Sequence, residues 1–432
     1  MLTALFWSGT VSISSVSQTR CSGVSPVCQY PDGVVASRER QLVIPFHEAL
    51  SIVESQDGRL DSEHVPLTEA AGRYLVAELR SGIDNPPFTK AAMDGYAVRA
   101  GDTAEELRIL ETVAAGAVPT VDVVPGSCSR IMTGAMLPRG ADMVHRVEYA
   151  EERNGHMLRT HREPAANVIQ QGENLTAGES ALGPRRLTPQ DVGVSASLGI
   201  ATVEVMRTPR IAILATGSEL SEPGESVSAG GIYNSNAYQL FAHARDAGCE
   251  PSYYGMVEDT REALDEVLSR AFSNGDIVIL TGGVSKGQFD YVPAALEANG
   301  VEVLFHRVAM KPGRPTLFGR RASRYVFGLP GNPVSAFVTF EVFVKPLLYR
   351  LAGLRYQPPR CHGTLSTSVP KKDAERTEFI PVRWKDDQVE PVSYYGSSHL
   401  NALGDADGLL QLEVGSTGFK AGARVHVRQI RT

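Results

Sequence analysis

Apolar residues change rhythm several times along the chain, and each change marks a segment. Over residues 45–80 the pattern is helical, with Ala49, Ile52 and Val53 on one face, and the polar stretch 54–63 inside it reads as loop. Residues 81–178 alternate in short runs, such as 108–113 and 142–147, punctuated by Gly and Pro turns; this predicts a small β domain inserted into the helical one. Residues 187–206 return to helix and strand. From Pro209 strands and helices alternate. Apolar strands are predicted at 211–214, 250–257, 277–280 and 325–328. Between them fall helices at 237–247, with Leu240, Phe241 and Ala244 on one face and Gly248 as C-terminal cap, and around Leu264, Val267, Leu268 and Phe272. A longer apolar run, 334–351, carries Glu341 and Lys345 and reads as a buried helix rather than a membrane span. Such alternation implies a mostly parallel sheet covered on both sides. From about 357 to the end the chain reads as all-β.

The resulting fold class is multidomain α/β plus β. A disordered N-terminal extension is expected over 1–41, and a discontinuous helical linker domain over 42–80 and 179–208. The inserted small β domain covers 81–178, a central open, mostly parallel α/β domain 209–355, and a C-terminal β-barrel-like domain 356–432. A length of 432 residues suits this division, since domains average about 150 residues. The patch Leu2 to Trp7 is short and lacks a preceding basic region, a poor match to a signal peptide.

Composition narrows the function classes. A net charge of −7 argues against a nucleic-acid binder, and no membrane span is expected. Five scattered cysteines without a Cys-x-x-Cys pair support neither a zinc site nor a disulfide scaffold, and fit a reducing, cytoplasmic setting. The histidines have no metal-ligand spacing, and no nucleophile–His–Asp grouping is legible.

Chemistry concentrates where the strands end. The run Asp276-Ile-Val-Ile-Leu-Thr-Gly-Gly-Val-Ser-Lys-Gly-Gln-Phe-Asp290 is a strand, a glycine loop and a helix entry; Val326-Phe-Gly-Leu-Pro-Gly-Asn-Pro-Val-Ser-Ala336 repeats the pattern. Such loops aim backbone N–H groups at an anion. In an open α/β sheet the ligand sits at the carboxyl ends of the strands. That rule gathers Glu219, Asp259 and Asp290 beside Gly282, Gly283, Ser285, Pro330, Gly331, Asn332, Pro333 and Ser335. Carboxylates next to phosphate loops suit Mg²⁺, although any one of them could instead cap a helix. Lys311 and Arg314, on a turn stiffened by prolines, form with Arg307 and Lys286 a local positive cluster suited to an oxyanion.

Six motifs follow one another in a telling order: Pro86-Pro-Phe-Thr-Lys-Ala-Ala-Met-Asp-Gly-Tyr-Ala-Val-Arg99, Ile131-Met-Thr-Gly-Ala135, Ala215-Thr-Gly-Ser-Glu-Leu220, Thr281-Gly-Gly-Val-Ser285, Met310-Lys-Pro-Gly-Arg-Pro315 and Gly328-Leu-Pro-Gly-Asn-Pro-Val-Ser335. Together they resemble the molybdopterin molybdenumtransferases, or molybdenum insertases, the family of the gephyrin E domain. The resemblance runs from about Leu42 to the C-terminus. It implies that adenylylated molybdopterin and molybdate are the substrates, and that a divalent cation, Mg²⁺, assists cleavage to AMP and molybdenum cofactor. It also implies a homodimer whose cleft lies between the α/β domain of one subunit and the small β domain of the other. An adenylyltransferase that supplies the pterin and recipient molybdoenzymes are the implied partners. Matched position by position, the family's functional residues fall on Asp94, Thr133, Glu219, Asp259, Asp290, Lys311, Pro330, Pro333, Arg376 and Ser397. Asp259 and Asp290 go to metal and pyrophosphate chemistry, Lys311 with Thr133 to anion binding, Asp94 and Glu219 to positioning or proton handling, and Arg376 and Ser397 to the pterin end.

Four departures from the family pattern stand out: Ala91 for a serine, Asn234 for an aspartate, Lys286 for a small apolar residue and Pro381 for a basic one. Asn234 and Lys286 are expected to make the cleft more positive. Two other readings share the same α/β module: a molybdopterin adenylyltransferase, and a non-catalytic gephyrin-like scaffold.

Overall fold

The structure is a computed structural model that describes residues 43–258, 260–283 and 292–431. Its first helix, Phe46–Glu54, buries Phe46, Ala49 and Val53, one face at helical spacing. The two-residue strand before it, Ile44–Pro45, runs parallel to Val308–Lys311. The Phe46 ring packs on Phe343 and Phe379 at centroid distances of 5.6 and 5.2 Å. This N-terminal turn therefore joins the α/β and C-terminal parts of the chain.

Beyond Glu54 the helical reading of 45–80 fails. Ser62–Pro66 is a strand paired antiparallel with Thr202–Met206 along its whole length, from Thr202 opposite Pro66 to Met206 opposite Ser62. With Tyr74–Leu75 and Arg185–Arg186 these make a four-stranded sheet. The expected helical linker domain is thus largely sheet, with one helix, Pro189–Ser197, laid against it. The reason is non-local. Val65, Leu75, Val203 and Val205 form one buried cluster, and their partners lie far outside any window that reports helical periodicity. The helix itself is signalled correctly: the Thr188 hydroxyl accepts from Asp191 N, and the Asp191 carboxylate accepts from Thr188 N.

The inserted segment folds as expected into a six-stranded sheet, in the order Ala150–Arg153, His156–Arg159, Glu106–Val113, Ser127–Ile131, Gly95–Val98, Met143–Arg146. Ala91, where the family pattern has a serine, is buried in one of its two cores. Gly95 is required there: a Cβ would sit 2.2 Å from the His145 carbonyl oxygen.

The α/β part holds the sheet Glu250–Val257, Arg210–Thr216, Ile277–Thr281, Arg324–Leu329, Leu317–Arg321, Glu302–His306. The first four strands are parallel and the last two antiparallel. Alternate residues of the central strands face opposite layers. Ile211, Ile213, Ala215, Ile277 and Ile279 join the core that includes helix Ser235–Asp246 and the 333–351 segment. Ala212, Leu214, Val278 and Leu280 join the core under Arg261–Asn274 and Val292–Ala298. The apolar run after the last parallel strand is helical, as expected, but not uniform. Helix Pro333–Thr339 passes through a π turn, Phe340–Val344, into helix Lys345–Leu351.

The C-terminal part closes on itself. Thr377–Lys385 pairs with Gln388–Pro391, which pairs with Arg360–Leu365, then Arg424–Gln429, then Gly408–Leu412, and the last pairs again with Thr377–Lys385. Its interior is Leu365, Val382, Val389, Leu410, Leu412, Val425 and Val427. Pro381 lies within the strand Thr377–Lys385, opposite Leu409. No helix among the described residues is long and apolar enough to cross a membrane.

Candidate functional site

A cavity of about 320 Å³ opens where three parallel strands end. Its walls come from the residues after Arg210–Thr216, Ile277–Thr281 and Arg324–Leu329, from the first turn of helix Ser235–Asp246, and from the C-terminal segment at Ser398 and Leu400. Of the residues singled out from sequence, Glu219, Gly282, Gly331, Asn332 and Pro333 line it.

Two glycines have local reasons to be there. Gly282 has φ +91°, and a Cβ on it would fall 2.2 Å from the Thr216 carbonyl oxygen. Gly283, at φ +60°, would meet the Thr216 hydroxyl at 2.7 Å. The strand ends press so closely that only backbone fits between them. The second loop abuts the first, with Gly331 facing the Gly282 Cα.

Asn236 ties the two loops together. Its Nδ2 donates to Thr281 Oγ1 at 2.8 Å and to the Gly331 carbonyl at 2.7 Å. Asn332 Nδ2 donates to Ser397 Oγ at 2.9 Å, and Val334 N donates to the Ser397 carbonyl at 3.0 Å. The C-terminal segment is thereby fastened to the second loop. Ser335 is buried in the helix that follows, and its carbonyl accepts from Thr339 Oγ1 at 2.8 Å. Two residues of the cavity wall each carry a buried side-chain oxygen with no hydrogen-bond partner: Thr216 Oγ1, on a residue 2% exposed, and Asn236 Oδ1, on a residue 8% exposed. Unpaired buried oxygens are costly, and both lie just behind the wall of this cavity.

Asn234 lines the cavity as a buried neutral group where the family pattern has a carboxylate, and it also has a structural role. Its Oδ1 accepts from Ala237 N as the helix N-cap, and its Nδ2 donates to the Tyr253 hydroxyl at 2.7 Å. Tyr253 in turn donates to Glu222 Oε1, and Tyr238 donates to Glu222 Oε2 at 2.9 Å. Burial and the Glu222 hydrogen bond push the Tyr253 phenol well up, so it stays protonated. An aspartate at 234 would set a second carboxylate against that phenol oxygen.

Other sequence-derived residues occupy separate stations. Asp94 and Thr133 meet in the inserted domain, where the Thr133 backbone N–H and hydroxyl both donate to Asp94 Oδ1 at 2.6 Å. The hydroxyl first, then the amide, hold the Asp94 carboxyl below its ordinary range. No residue of 81–178 is among those lining the strand-end cavity. Lys311 faces another cavity, and its Nζ is 3.6 Å from Glu378 Oε1. Arg314 and Arg376 line a third, smaller one with Asp373, which accepts from Arg376 Nε at 2.5 Å. That hydrogen bond is the main cause holding the Asp373 carboxyl low, and Lys311 adds to it. Asp259, Ser285, Lys286 and Asp290 lie outside the described residues, so the gathering of three carboxylates on one edge is described only for Glu219. Among the described residues no cluster of three or more His, Cys, Asp or Glu could hold a metal.

Sequence reasoning missed Asn236 and Glu378, and gave no role to Thr216 and Thr281, although both stand in the motifs at the strand ends. Asn236 carried a weaker signal: two asparagines at a helix start, where one suffices as cap.

Comparison with known proteins covers nearly the whole described chain. Residues 44–199 match the model for the MoeA N-terminal region (domain I and II), 212–350 a probable molybdopterin binding domain, and 363–430 the MoeA C-terminal region (domain IV). Molybdopterin molybdenumtransferase of Bacillus subtilis is 34% identical over 414 residues, covering 91% of this chain and 95% of that protein. The chain belongs to the molybdopterin molybdenumtransferase family. A Staphylococcus aureus (strain MRSA252) member of the family is 33% identical over 405 residues, covering 90% and 96% of the two chains. Among solved structures, the molybdopterin biosynthesis MoeA protein of Pyrococcus horikoshii OT3 is 31% identical, covers 90% of this chain and all of its own, and superposes with a TM-score of 0.77. The closed C-terminal sheet and the mixed sheets before it are thus those of a molybdopterin molybdenumtransferase-like fold.

Proposed function

We propose that the chain inserts molybdate into adenylylated molybdopterin, with Mg²⁺-dependent cleavage of the adenylate, releasing AMP and molybdenum cofactor. The observation that carries this reading is the strand-end cavity: two glycine loops locked together by Asn236 and opening on one cavity at the ends of three parallel strands. It lies in a chain that matches its family relatives over nine-tenths of its length. A full-length match also disfavours an adenylyltransferase.

Each residue has a task in this reading. The loops at Gly282–Gly283 and Pro330–Pro333, with Ser335 behind them, present backbone to the phosphates of the adenylate. Oxygen donors suit a hard divalent cation. Asp259 and Asp290 would hold Mg²⁺, which when bound neutralises charge on the pyrophosphate. Glu219, in the cavity wall, orients the phosphate end or moves a proton. Lys311, Arg314 and Arg376 supply positive charge for molybdate and the pterin end, and Ser397 fixes the loop at Asn332. Asp94 and Thr133 are contributed by the second subunit of a homodimer, which accounts for their lying apart from the cavity within one chain. A cytoplasmic setting, an adenylyltransferase that delivers the pterin and molybdoenzymes that receive the product complete the proposal.

The direct test is to incubate the protein with adenylylated molybdopterin, Mg²⁺ and molybdate. Molybdate-dependent AMP release with reconstitution of a molybdenum-free apo-enzyme is the expected result. Binding without release would reduce the chain to a scaffold.

A further inference from the structure

One wall of the strand-end cavity is a surface excursion. Between strand Arg210–Thr216 and helix Ser235–Asp246 the chain leaves the body of the α/β part, and this segment supplies Glu219, Leu220, Ile232, Tyr233 and Asn234 to the cavity. Its own structure is slight. Leu220–Ser221 pairs in parallel with Ile232–Tyr233 over two residues, and the tip, 223–230, is exposed at every position but Val227. A segment with so few buried contacts opens readily, unless it is held against the body.

Glu222 holds it with both oxygens. Its Oε1 accepts from the Tyr253 hydroxyl at 2.5 Å, on strand Glu250–Val257, and its Oε2 from the Tyr238 hydroxyl at 2.9 Å, on the helix. Glu222 itself is not in the cavity wall. The direction of these bonds is fixed. Asn234 Oδ1 is taken by Ala237 N, so its Nδ2 donates to Tyr253 at 2.7 Å. A phenol has one proton, and with a donor at 234 that proton goes to Glu222. The Glu222 hydrogen bond raises the Tyr238 phenol, and burial with the same carboxylate raises that of Tyr253, so both keep the proton they donate.

We propose that Glu222 is a positioning residue, which sets the 217–234 wall in place for substrate, and that it does so because residue 234 is an amide. With carboxylates at both 222 and 234, one phenol proton would serve two acceptors, and one contact would become a repulsion between oxygens. The family pattern has an aspartate at 234; this chain carries its carboxylate on the other side of the same phenol. Exchanging amide and carboxylate, Asp at 234 with Gln at 222, reverses the row through Tyr253 and leaves every donor and acceptor matched.

The inference rests on the reading of the cavity as the adenylate site, and two measurements on the full chain keep the two apart. Hydrogen exchange at Ile232 and Asn234, whose amides donate to Glu219 O at 2.8 Å and Ser221 O at 2.9 Å, reports the wall without any ligand. KM and kcat of AMP release report the site. In Glu222→Ala both amides should exchange about tenfold faster, with strand Ile277–Thr281 unchanged, and KM should rise by a similar factor while kcat stays within about twofold, because each substrate must order the wall as it binds. Asn234→Asp should do the same, and since aspartate caps a helix as well as asparagine does, it tests the phenol contact. Combined with Glu222→Gln it should be rescued, both measurements returning to within about twofold of wild type at unchanged net charge, whereas independent roles would give additive losses. Unchanged exchange in Glu222→Ala, or a loss in Asn234→Asp that Glu222→Gln does not relieve, overturns the role of Glu222. Faster exchange with unchanged KM makes Glu222 a tether only and overturns its positioning of substrate. A wild type that releases no AMP overturns the proposed function, and the exchange rates with their rescue still decide whether Glu222 holds the wall.

Discussion

At the scale of single residues, hydrogen-bond accounting decides most questions. Asn236 Nδ2 serves two acceptors on two loops. Asn236→Ala would leave the Thr281 hydroxyl and the Gly331 carbonyl unpaired, which costs about 1–3 kcal/mol. Urea denaturation should show that loss, and under the proposed function AMP release should fall by about tenfold or more, because the two loops proposed to hold the phosphates separate. Unchanged turnover would mean that the loops hold each other without it. The Asp94–Thr133 contact makes a different kind of prediction. The folded carboxyl lies below its ordinary range, so it favours the folded state above the unfolded pKa. That contribution fades as pH drops through the folded value. Thr133→Val removes the larger of the two causes. The Asp94 pKa, followed by NMR, should move up toward the range of an exposed aspartate while the backbone donor keeps it slightly low.

At the scale of elements, what the sequence disclosed depended on range. The four parallel strands and the helices between them were legible because their apolar runs and caps are local. So were the glycine loops, for Gly282 occupies a backbone angle that few other residues adopt. Gly282→Ala adds a methyl 2.2 Å from a carbonyl. Displacing the loop to accommodate it costs about 1–3 kcal/mol, and AMP release should collapse while the six-stranded sheet of the inserted domain, read by hydrogen exchange, is untouched. A variant with full turnover would show that the loop tolerates movement. The strand at Ser62–Pro66 was misread as the end of a loop and the start of helix because its partner is Thr202–Met206, and no local pattern announces a partner that distant. Glu378 was missed for a related reason. Its neighbour Lys311 comes from another segment, and only the parallel pairing of two strands brings them side by side.

At the scale of the whole molecule, the open matter is where Asp94 and Thr133 act. Both are exposed on the inserted domain, while the cavity is walled by the α/β and C-terminal segments of the same chain. If two subunits share a cleft, each cleft takes its cavity from one chain and its Asp94 from the other. An Asp94→Asn chain then spoils the cleft it reaches across to, and an Asn236→Ala chain spoils its own. Either homodimer has two damaged clefts. A mixed dimer has one cleft with both faults and one with neither, since the intact cavity of the Asp94→Asn chain receives the intact Asp94 of its partner. Random exchange of subunits makes half the dimers mixed, each with one working cleft of two, so activity should recover to about a quarter of wild type. If cavity and Asp94 instead act within one chain, every cleft in the mixture carries a fault, and mixing the two inactive variants should recover nothing. Unfolding and refolding the two variants together, and then assaying AMP release against each variant refolded alone, distinguishes a shared cleft from a private one.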